Sequence, residues 1–445
     1  MPITVIGAGL AGCEAAWQIA QNGEEAVLIE MKPQKYTPAH KSPTFAELIC
    51  SNSLKAERVT SAAGLLKEEM YRMGSLLVPC ALQTRVPAGG ALAVDRVKFS
   101  ALVTEKIHQN VNIHCVEQEC TEIPESGITV IATGPLTSDA LAAKIEHLCG
   151  DSLRFYDAAA PIITAESLDR DRIFAASRYG KGEGEDYLNC PMNREEYENF
   201  YTELVHAQRA PLHGCDVQDP KVYEGCMPIE VMAQRGPDTI RFGPLKPVGL
   251  RDPHTGHRPW AVVQLRREDA AGTLYNLVGF QTNLKFGEQK RVFGLIPGLA
   301  HAEFTRFGVM HRNTFLNAPN VLKSTFQFRK NSNLFFAGQM TGVEGYMESA
   351  ASGLLAGRNA LRISQGLLPL TPPETTMTGA LARWVQNGGE GDYQPLGANF
   401  GIMPPIEPHI RDKRERYAAI SQRALKDLAT FMKSAGWLAV EHSCI

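Results

Sequence analysis

The chain has 445 residues, of which 44% are hydrophobic, and its formal net charge is only −3; these values are ordinary for a soluble globular protein of two or three domains. Because the sequence contains no run of about 18 uncharged apolar residues, it predicts no membrane span. Its ten cysteines include no Cys-x-x-Cys pair, which favours reduced thiols in a cytoplasm and argues against a disulfide framework or a structural zinc site.

The N-terminal segment has the pattern of a β-α-β unit. Ile3–Ile6 predicts a short buried strand that runs into the turn Gly7-Ala8-Gly9-Leu10-Ala11-Gly12. Apolar residues at helical spacing predict a helix over Leu10–Asn22, and Glu25–Met31 predicts a second strand that carries Glu30 near its end. Such a unit opens a doubly wound parallel sheet.

The glycine turn predicts a dinucleotide site, with all six of its residues as cofactor contacts. In this motif Gly7 permits the tight turn, Gly9 lets the backbone approach a pyrophosphate, and Gly12 lets helix and strand pack closely. Free N–H groups at the helix start favour the pyrophosphate, and Glu30 is placed to accept hydrogen bonds from ribose hydroxyls. A tight turn without a ligand is the alternative, which the strand before the motif and the helix after it disfavour.

The chain as a whole is predicted to have three parts. Residues 1–153 form the first part of the domain that holds the glycine turn, residues 154–330 form an inserted α+β domain on an antiparallel sheet, and residues 331–445 complete the first domain. The polar stretch 32–53 predicts an ordered loop over a site, because long loops in compact domains are usually functional or disordered. The predicted elements are a helix over Val97–His108, strands over Gly127–Ala132, Pro161–Ala165, Ile240–Phe242, Ala261–Leu265, Leu274–Phe280 and Asn333–Ala337, and helices over Tyr346–Gln365 and Ile410–Gly436.

Charge is distributed unevenly along the chain. Residues 235–330 hold 15 Lys/Arg and 6 Asp/Glu, a balance of +9, whereas the remainder holds 30 and 42. This asymmetry favours a polyanion such as RNA as the partner of the inserted domain; basic side chains that merely solvate one domain are the alternative. The candidate phosphate contacts are Arg291, Arg306, Arg312, Lys323, Arg329 and Lys330.

Three further segments resemble those of two-dinucleotide-fold flavoproteins, and they therefore favour FAD over NAD as the bound dinucleotide. They are the strand-to-turn segment ending at Thr133-Gly134, the turn from Gly338 towards Glu348, and Pro87–Gly90 with Asp95 and Arg96. The resemblance implies FAD in a discontinuous Rossmann-type domain, and no second G-x-G-x-x-G is present to predict a separate NAD(P)H domain. The implied flavin contacts are Arg96, Thr133, Gly134, Gly338, Gly342, Gly345 and Tyr346, the last of which is equally compatible with a core position.

Four longer motifs resemble the TrmFO family, the folate- and FAD-dependent tRNA (uracil-5-)-methyltransferases related to the GidA/MnmG flavoproteins. They are Glu47–Leu54 (ELICSNSL), Tyr187–Met192 (YLNCPM), Glu224–Glu230 (EGCMPIE) and Gly338–Tyr346 (GQMTGVEGY). The resemblance extends from the first strand to Gly401–Pro405. One departure is Cys13, where the family pattern has a serine or alanine; its thiol is predicted to be inert.

The resemblance implies reductive methylation of uridine 54 in the T loop of tRNA. In such a reaction 5,10-methylenetetrahydrofolate supplies the one-carbon unit, and FADH2, reduced by NAD(P)H, supplies electrons. Uracil C5 becomes nucleophilic only after addition at C6, for which a thiolate is suited, and a base must then remove the C5 proton. By motif Cys226 is the predicted nucleophile and Cys50 its partner, with the exchanged assignment open; the other eight cysteines are predicted to be packing residues.

Several alternatives stay open at this point. Within RNA modification these are 5-methyluridine formation in 23S rRNA and a GidA/MnmG-like modification of wobble uridine, although that family is longer and carries a helical C-terminal extension. Outside it, a small-molecule FAD oxidoreductase would need neither the basic insertion nor the Cys226 motif, and a catalytically silent FAD protein would act as a scaffold. A cytoplasmic enzyme with tRNA, folate and nicotinamide as partners, and no obligate protein partner, is the leading prediction.

Overall fold

The computed structural model describes residues 1–437 apart from 38, 151, 211–226, 389–392 and 394. In chain order the strands are β1 Ile3–Ile6, β2 Ala26–Glu30, β3 Ser53–Ala56, β4 Arg85–Val86, β5 Ala91–Val94, β6 Ile113–Glu117, β7 Thr129–Ile131, β8 Ser152–Ala158, β9 Ile162–Thr164, β10 Phe174–Ala175, β11 Tyr187–Met192, β12 Ala261–Arg267, β13 Leu274–Leu277, β14 Phe304–Arg306, β15 Met310–Leu316, β16 Gln327–Phe328 and β17 Asn331–Phe336. The helices are α1 Leu10–Ala20, α2 Ala62–Arg72, α3 Leu77–Gln83, α4 Arg96–Gln109, α5 Asp139–Cys149, α6 Arg194–His206, α7 Ile229–Ala233, α8 Pro237–Phe242, α9 Phe286–Phe293, α10 Ala318–Val321, α11 Tyr346–Ser364, α12 Met377–Asn387 and α13 Lys413–Ser434.

The first sheet has six strands in the order β16-β17-β7-β1-β2-β6. All its pairings are parallel except β16 with β17. The predicted β-α-β unit is therefore confirmed, and with it the doubly wound sheet, because β1 lies between β2 and the later strand β7. The carboxyl ends of β1, β7 and β17 meet at one edge, where α/β proteins bind their ligands.

Helices α1 and α11 pack unusually closely behind this edge. A Cβ atom built at Gly353 of α11 would lie 2.0 Å from the carbonyl oxygen of Ala11, and one at Gly357 would lie 2.5 Å from that of Ala15. Only glycine allows the two backbones to approach to this distance. The contact fixes the turn before α11 against the turn before α1, since each helix starts directly from its turn.

The second sheet is built as predicted, from antiparallel strands in the order β10-β11-β12-β13-β9-β14. Its core is a separate hydrophobic cluster drawn from Ile163 to Leu299, while the first cluster takes up the chain again at Leu316. The α/β fold with an inserted α+β domain is confirmed. The exact division at 154 and 330 stays a prediction.

One predicted strand is wrong. Ile240–Phe242 belongs to helix α8, which starts at Pro237 immediately after Gly236. Proline is well suited to the first turn of a helix because its missing N–H would have no partner there. Three apolar residues are also too few to distinguish a strand from a helical turn, so the Gly-Pro start should have decided the prediction.

Helix α12 was not predicted, and a distant carboxylate explains why it forms. The buried Glu69 of α2 accepts hydrogen bonds from the backbone N–H groups of Met377 (2.7 Å) and Thr378 (2.8 Å), while Thr376 caps the same end by accepting from Gly379. Burial raises the pKa of Glu69 to about 7. The helix start is thus stabilised by a residue 308 positions away. In the described part of the chain, no helix is both long and apolar enough to cross a membrane.

Candidate active site

The first glycine turn has the geometry that the sequence predicted. Gly7 has φ +97°, and a Cβ atom there would lie 2.8 Å from the carbonyl oxygen of Ala132; a Cβ at Gly12 would lie 1.7 Å from the carbonyl oxygen of Gly7. Gly9, by contrast, has no protein atom within 4 Å of its Cβ position. Gly7 and Gly12 are therefore required by the protein itself, whereas Gly9 leaves open space at the start of α1, where a pyrophosphate would lie.

Glu30 at the end of β2 is held by backbone donors. Its carboxylate accepts hydrogen bonds from the N–H of Ala8 (2.7 Å) and the N–H of Lys32 (3.0 Å). It lines a cavity of about 630 Å³ together with the glycine turn and Thr133. Its orientation suits the predicted ribose contact, which stays a prediction.

A second cavity of about 830 Å³ continues from the first. Both are lined by Gly9, Glu47 and Thr133. The predicted contacts in the second cavity are Gly9, Leu10, Ala11, Thr133, Gly134, Gly338 and Tyr346, and Cys50 lies in the same wall. The start of α1 therefore stands between a cavity that contains Glu30 and one that contains Cys50 and Tyr346, an arrangement that fits the ribose and ring ends of a dinucleotide such as FAD.

Three predicted flavin contacts have other partners. Gly342, with φ +86°, packs against the ring of Tyr393, and Gly345, with φ +129°, leaves room for the carboxylate of Glu348. Arg96 donates to the carbonyl oxygens of Leu48 (2.8 Å) and Ile49 (3.1 Å). In this structure Arg96 therefore holds the loop before Cys50, and any contact of these three residues with the flavin stays a prediction.

Cys50 is joined to Tyr346, the first residue of α11. The Tyr346 hydroxyl oxygen accepts the N–H groups of Cys50 (2.9 Å) and Ser51 (3.2 Å) and lies 3.0 Å from the Cys50 sulfur. Burial, and then the charge of a Cys50 thiolate, raise the pKa of Tyr346 well above its ordinary value. The phenol keeps its proton, and because two N–H groups already occupy its oxygen, that proton is directed to the sulfur. The pair can therefore hold a thiolate at the cavity wall.

The inserted domain fixes the loop that carries Cys50. Arg266, near the end of β12, donates to the side-chain oxygens of Asn52 (2.8 Å) and Ser51 (2.7 Å). Asn52 in turn donates to the carbonyl oxygen of Arg267 (2.8 Å), and Glu268 forms an ion pair with Arg96 (2.9 Å). Sequence reasoning missed Arg266 and Glu268, because contacts across 172 to 215 positions have no local pattern.

Arg306, predicted as an RNA phosphate contact, lies in this same neighbourhood. Burial, followed by the charge of Arg96, lowers its pKa, whereas the charges of Tyr346, Glu47 and Cys50 raise it. A cation so placed favours an anion at Cys50 or on a ligand beside it. Arg306 therefore contributes to the electrostatic surroundings of Cys50 and Tyr346 as well as to the charge of the basic domain.

The structure does not bring the other predicted phosphate contacts together with Arg306. Arg291 forms ion pairs with Glu203 and with Glu288 (2.8 Å). Lys323, Arg329 and Lys330 lie around β16 and β17, at one edge of the first sheet. For Arg312, on β15, only the backbone is described. The proposed footprint is dispersed over several surfaces, and its role in binding RNA stays a prediction.

The remaining cysteines differ from Cys50 in their surroundings. Burial raises the pKa of Cys13 and Cys190 well above the ordinary thiol value, and raises those of Cys80 and Cys149 to about 12. Such thiols stay protonated at neutral pH and act as small packing residues. The predicted nucleophile Cys226 lies outside the described residues, as do Cys215 and Cys444.

Comparison with known proteins agrees with this architecture. The model of the family described as Glucose inhibited division protein A matches residues 2–367. The methylenetetrahydrofolate–tRNA-(uracil-5-)-methyltransferase TrmFO of Lactobacillus gasseri is 56% identical over 96% of this chain and 98% of its own, and that of Ligilactobacillus salivarius is 58% identical with the same coverage. The solved structure of Aquifex aeolicus GidA in its form II crystal has a TM-score of 0.73 at 16% identity, covering 99% of this chain and 74% of that one.

Proposed function

The chain belongs to the TrmFO family of methylenetetrahydrofolate–tRNA-(uracil-5-)-methyltransferases, and from this premise we propose how its residues serve the reaction. It methylates C5 of a uridine in tRNA, with methylenetetrahydrofolate as the one-carbon donor. It binds FAD, with NAD(P)H as the source of electrons. We place it in the cytoplasm, and we place the target at position 54 in the T loop.

The observation that carries this proposal is the position of Cys50 at the end of the dinucleotide cavity. Cys50 lies in the wall of the second cavity, and its sulfur is 3.0 Å from the Tyr346 hydroxyl. A bound flavin supplies the two electrons that reduce a methylene group to a methyl group. A flavin held in this cavity would lie beside the Cys50 thiol, and a reaction that joins reduction to carbon transfer needs both groups in one site.

The chain's own residues supply the acid–base steps. We assign Cys226 as the thiolate that adds to C6 of the uracil, which makes C5 nucleophilic towards the one-carbon unit. We assign Cys50 as the base that then removes the C5 proton. Once the carrier has left the methylene group and that group has accepted a hydride equivalent, the Cys226–C6 bond breaks and the ring regains its double bond. The exchanged assignment of the two thiols is the alternative, and the variants described below distinguish them.

Two neighbouring groups support a thiolate at Cys50. The Tyr346 O–H is directed to the sulfur, and the Arg306 cation acts on it through a partly buried space. Both favour the charged form of a thiol. Arg266 and Arg96 act one step further away, since they hold the loop from Leu48 to Asn52 in position.

A reconstituted assay tests the proposal. Purified enzyme is incubated with unmodified tRNA, NAD(P)H and methylenetetrahydrofolate labelled with ¹³C in its methylene group, and nucleosides are analysed by mass spectrometry. We expect labelled 5-methyluridine in the T loop. Methylation that depends on S-adenosylmethionine instead, or a purified protein that is colourless and takes up no FAD, would overturn the proposal.

A further inference from the structure

Three phenylalanines of the inserted domain form a stack of nearly parallel rings. Phe307 lies between Phe286, at a centroid distance of 4.5 Å and an interplanar angle of 15°, and Phe304, at 5.2 Å and 8°. Phe286 ends the stack and is 54% exposed. Phe286 is thus stacked on Phe307 and more than half exposed to solvent, and the parallel rings have the geometry by which nucleic-acid bases stack on one another.

The stack is held rigidly by its surroundings. Gln289 of α9 donates to the carbonyl oxygen of Gly308 and accepts the Gly308 N–H, both at 2.8 Å. This buried amide joins the helix that starts at Phe286 to the segment that follows Phe307. The rings are thus arranged before any ligand binds, and binding would not need to order them.

The surroundings of the stack favour an anionic partner. The Lys290 ammonium lies 5.7 Å from the centre of the Phe307 ring, and Lys285 directly precedes Phe286. Arg291 pairs with the nearby acids Glu288 and Glu203, and Lys285 donates to the side chain of Gln208. These three cations and two acids leave the surroundings with a net positive charge. Basic groups beside an exposed aromatic face are the elements of single-stranded nucleic-acid sites.

The stack is linked to the candidate active site through Arg306. Arg306, whose charge interacts with Cys50 and Tyr346, is the chain neighbour of Phe307 and shares β14 with Phe304. A uridine whose C5 and C6 must reach a thiol in a cavity has to leave its base stack. A base next to it is then left without a stacking partner, and an aromatic side chain can take that partner's place.

We propose that the exposed face of Phe286 is a stacking platform for an unpaired base of the tRNA, adjacent to the uridine that enters the active site. The proposal rests on the proposed function, since it concerns how that substrate is held. Lys285 and Lys290 contact the phosphates on either side of the stacked base. Phe304 and Phe307 keep the platform flat and fixed.

A second exposed phenylalanine of the same domain provides a matched control. Phe242 is 66% exposed, but the guanidinium of Arg241 lies 4.8 Å from its ring centre and 3.7 Å from that of Trp260. Phe242 therefore packs on a cation, whereas Phe286 packs on a second aromatic ring, so that Phe242 does not extend a stack of rings. Phe242→Ala therefore removes the same exposed side chain without removing the proposed platform.

The test compares tRNA dissociation constants of the flavin-loaded enzyme over a series of salt concentrations. Phe286→Ala and Phe286→Leu should each weaken binding roughly ten-fold, as the removal of one base–aromatic stack does, while Phe286→Trp and Phe242→Ala bind as the wild type. The slope of affinity against salt should be unchanged in Phe286→Ala, because a stacked base releases no counterions, and should decrease in Lys290→Ala.

Other results of the same experiments would contradict the proposed platform. Wild-type affinity in Phe286→Ala, or in Phe286→Leu, would overturn the platform, as would weakened binding in Phe242→Ala alone. T-loop hairpins labelled with 2-aminopurine at single positions should show quenching at one base with wild type and none with Phe286→Leu. If the wild type neither binds nor methylates tRNA, the proposed function itself fails; if it does both and the Phe286 variants match it, only the platform fails.

Discussion

The edge of the first sheet and the inserted domain prepare their parts of the site in different ways. At the sheet edge the backbone is decisive, because Gly7 and Gly12 lie where any Cβ atom would clash with a carbonyl group. In the inserted domain long side chains are decisive, since Arg266 donates to Asn52 in the loop of Cys50 and the charge of Arg306 acts on Cys50 itself. The first region shapes the cavities, and the second positions the loop of Cys50 beside them.

This difference determines how each region should respond to mutation. A backbone constraint fails completely when a methyl group is added, because no rotamer relieves the clash. A side-chain interaction fails in part, because another charge or amide can replace some of it. Substitutions in the two regions should therefore differ in the magnitude of their effects and in the property that they change.

The largest effect is expected at the glycine turn. Gly12→Ala should lose FAD and lower the melting temperature, because the new Cβ would lie 1.7 Å from the Gly7 carbonyl oxygen. Gly9→Ala should also lose FAD but keep the melting temperature of the apoprotein, since no protein atom lies within 4 Å. Flavin absorbance per chain measures the FAD content of each variant, and thermal unfolding measures its melting temperature. If the Gly9→Ala protein bound a full complement of flavin, the pyrophosphate could not lie against this turn as proposed.

Removal of the reactive thiols should abolish turnover while flavin stays bound. We expect Cys226→Ala and Cys50→Ala each to reduce 5-methyluridine formation by about 10²-fold or more, the usual contribution of a nucleophile or base. Only the variant that lacks the nucleophile should fail to form a covalent complex with tRNA that carries 5-fluorouridine. Cys190→Ala, in a fully buried site, is the control and should change stability but not the rate of folded enzyme. A wild-type rate in Cys226→Ala or Cys50→Ala would show that the thiol in question is a packing residue and takes no part in the reaction.

Variants of Arg306 distinguish a role of this residue at the active site from a role in binding RNA phosphates. If its charge supports a thiolate, Arg306→Gln should lower kcat roughly ten-fold and move the acidic limb of the pH–rate profile to higher pH, and Arg306→Lys should restore part of both. Arg291→Gln, whose partners are Glu203 and Glu288, should leave the profile unchanged. A superimposable profile with weaker tRNA affinity in Arg306→Gln would favour the phosphate contact.

A smaller effect is expected at the edge of the first sheet. Arg329→Glu combined with Lys330→Glu should weaken tRNA binding several-fold at low salt and reduce the salt slope by about one for each phosphate that is no longer neutralised. Lys144→Glu, which removes an exposed cation paired with Glu122 outside the basic segment, is the control. Equal binding by the double variant and the wild type would place the RNA on another surface.

The smallest effect concerns stability. The pKa of Glu69 is about 7 in the folded protein against an ordinary value of 4.5, so the folded state binds the proton more tightly than the unfolded chain. Stability should therefore fall as pH rises from the lower value to the higher one. Glu69→Gln cannot titrate, and its melting temperature should vary less over this range. Glu14, whose pKa is also raised by burial to about 7, remains in the variant, so the dependence should decrease but not disappear.

The sequence predicted those features that local geometry requires. Strands β1 and β2, helix α1, the glycine turn and the strands on either side of the insertion all follow from patterns within a few residues. Helix α12 did not, because Glu69 stabilises its start from a distant helix. The contact of Arg266 with Asn52 and the neighbourhood of Arg306 depend on packing between two domains, for which a single sequence has no signal. Ile240–Phe242 was wrong because three apolar residues fit either kind of element.

The central claim is that this protein transfers a folate-derived carbon to a uridine of tRNA. The most direct measurement is nucleoside analysis of separated tRNA and 23S rRNA from cells with and without the protein. We expect 5-methyluridine to disappear from the T loop of tRNA and to stay unchanged in 23S rRNA, and we expect Cys226→Ala not to restore it. Disappearance of the nucleoside from 23S rRNA with intact tRNA, or no change in either RNA, would contradict the claim.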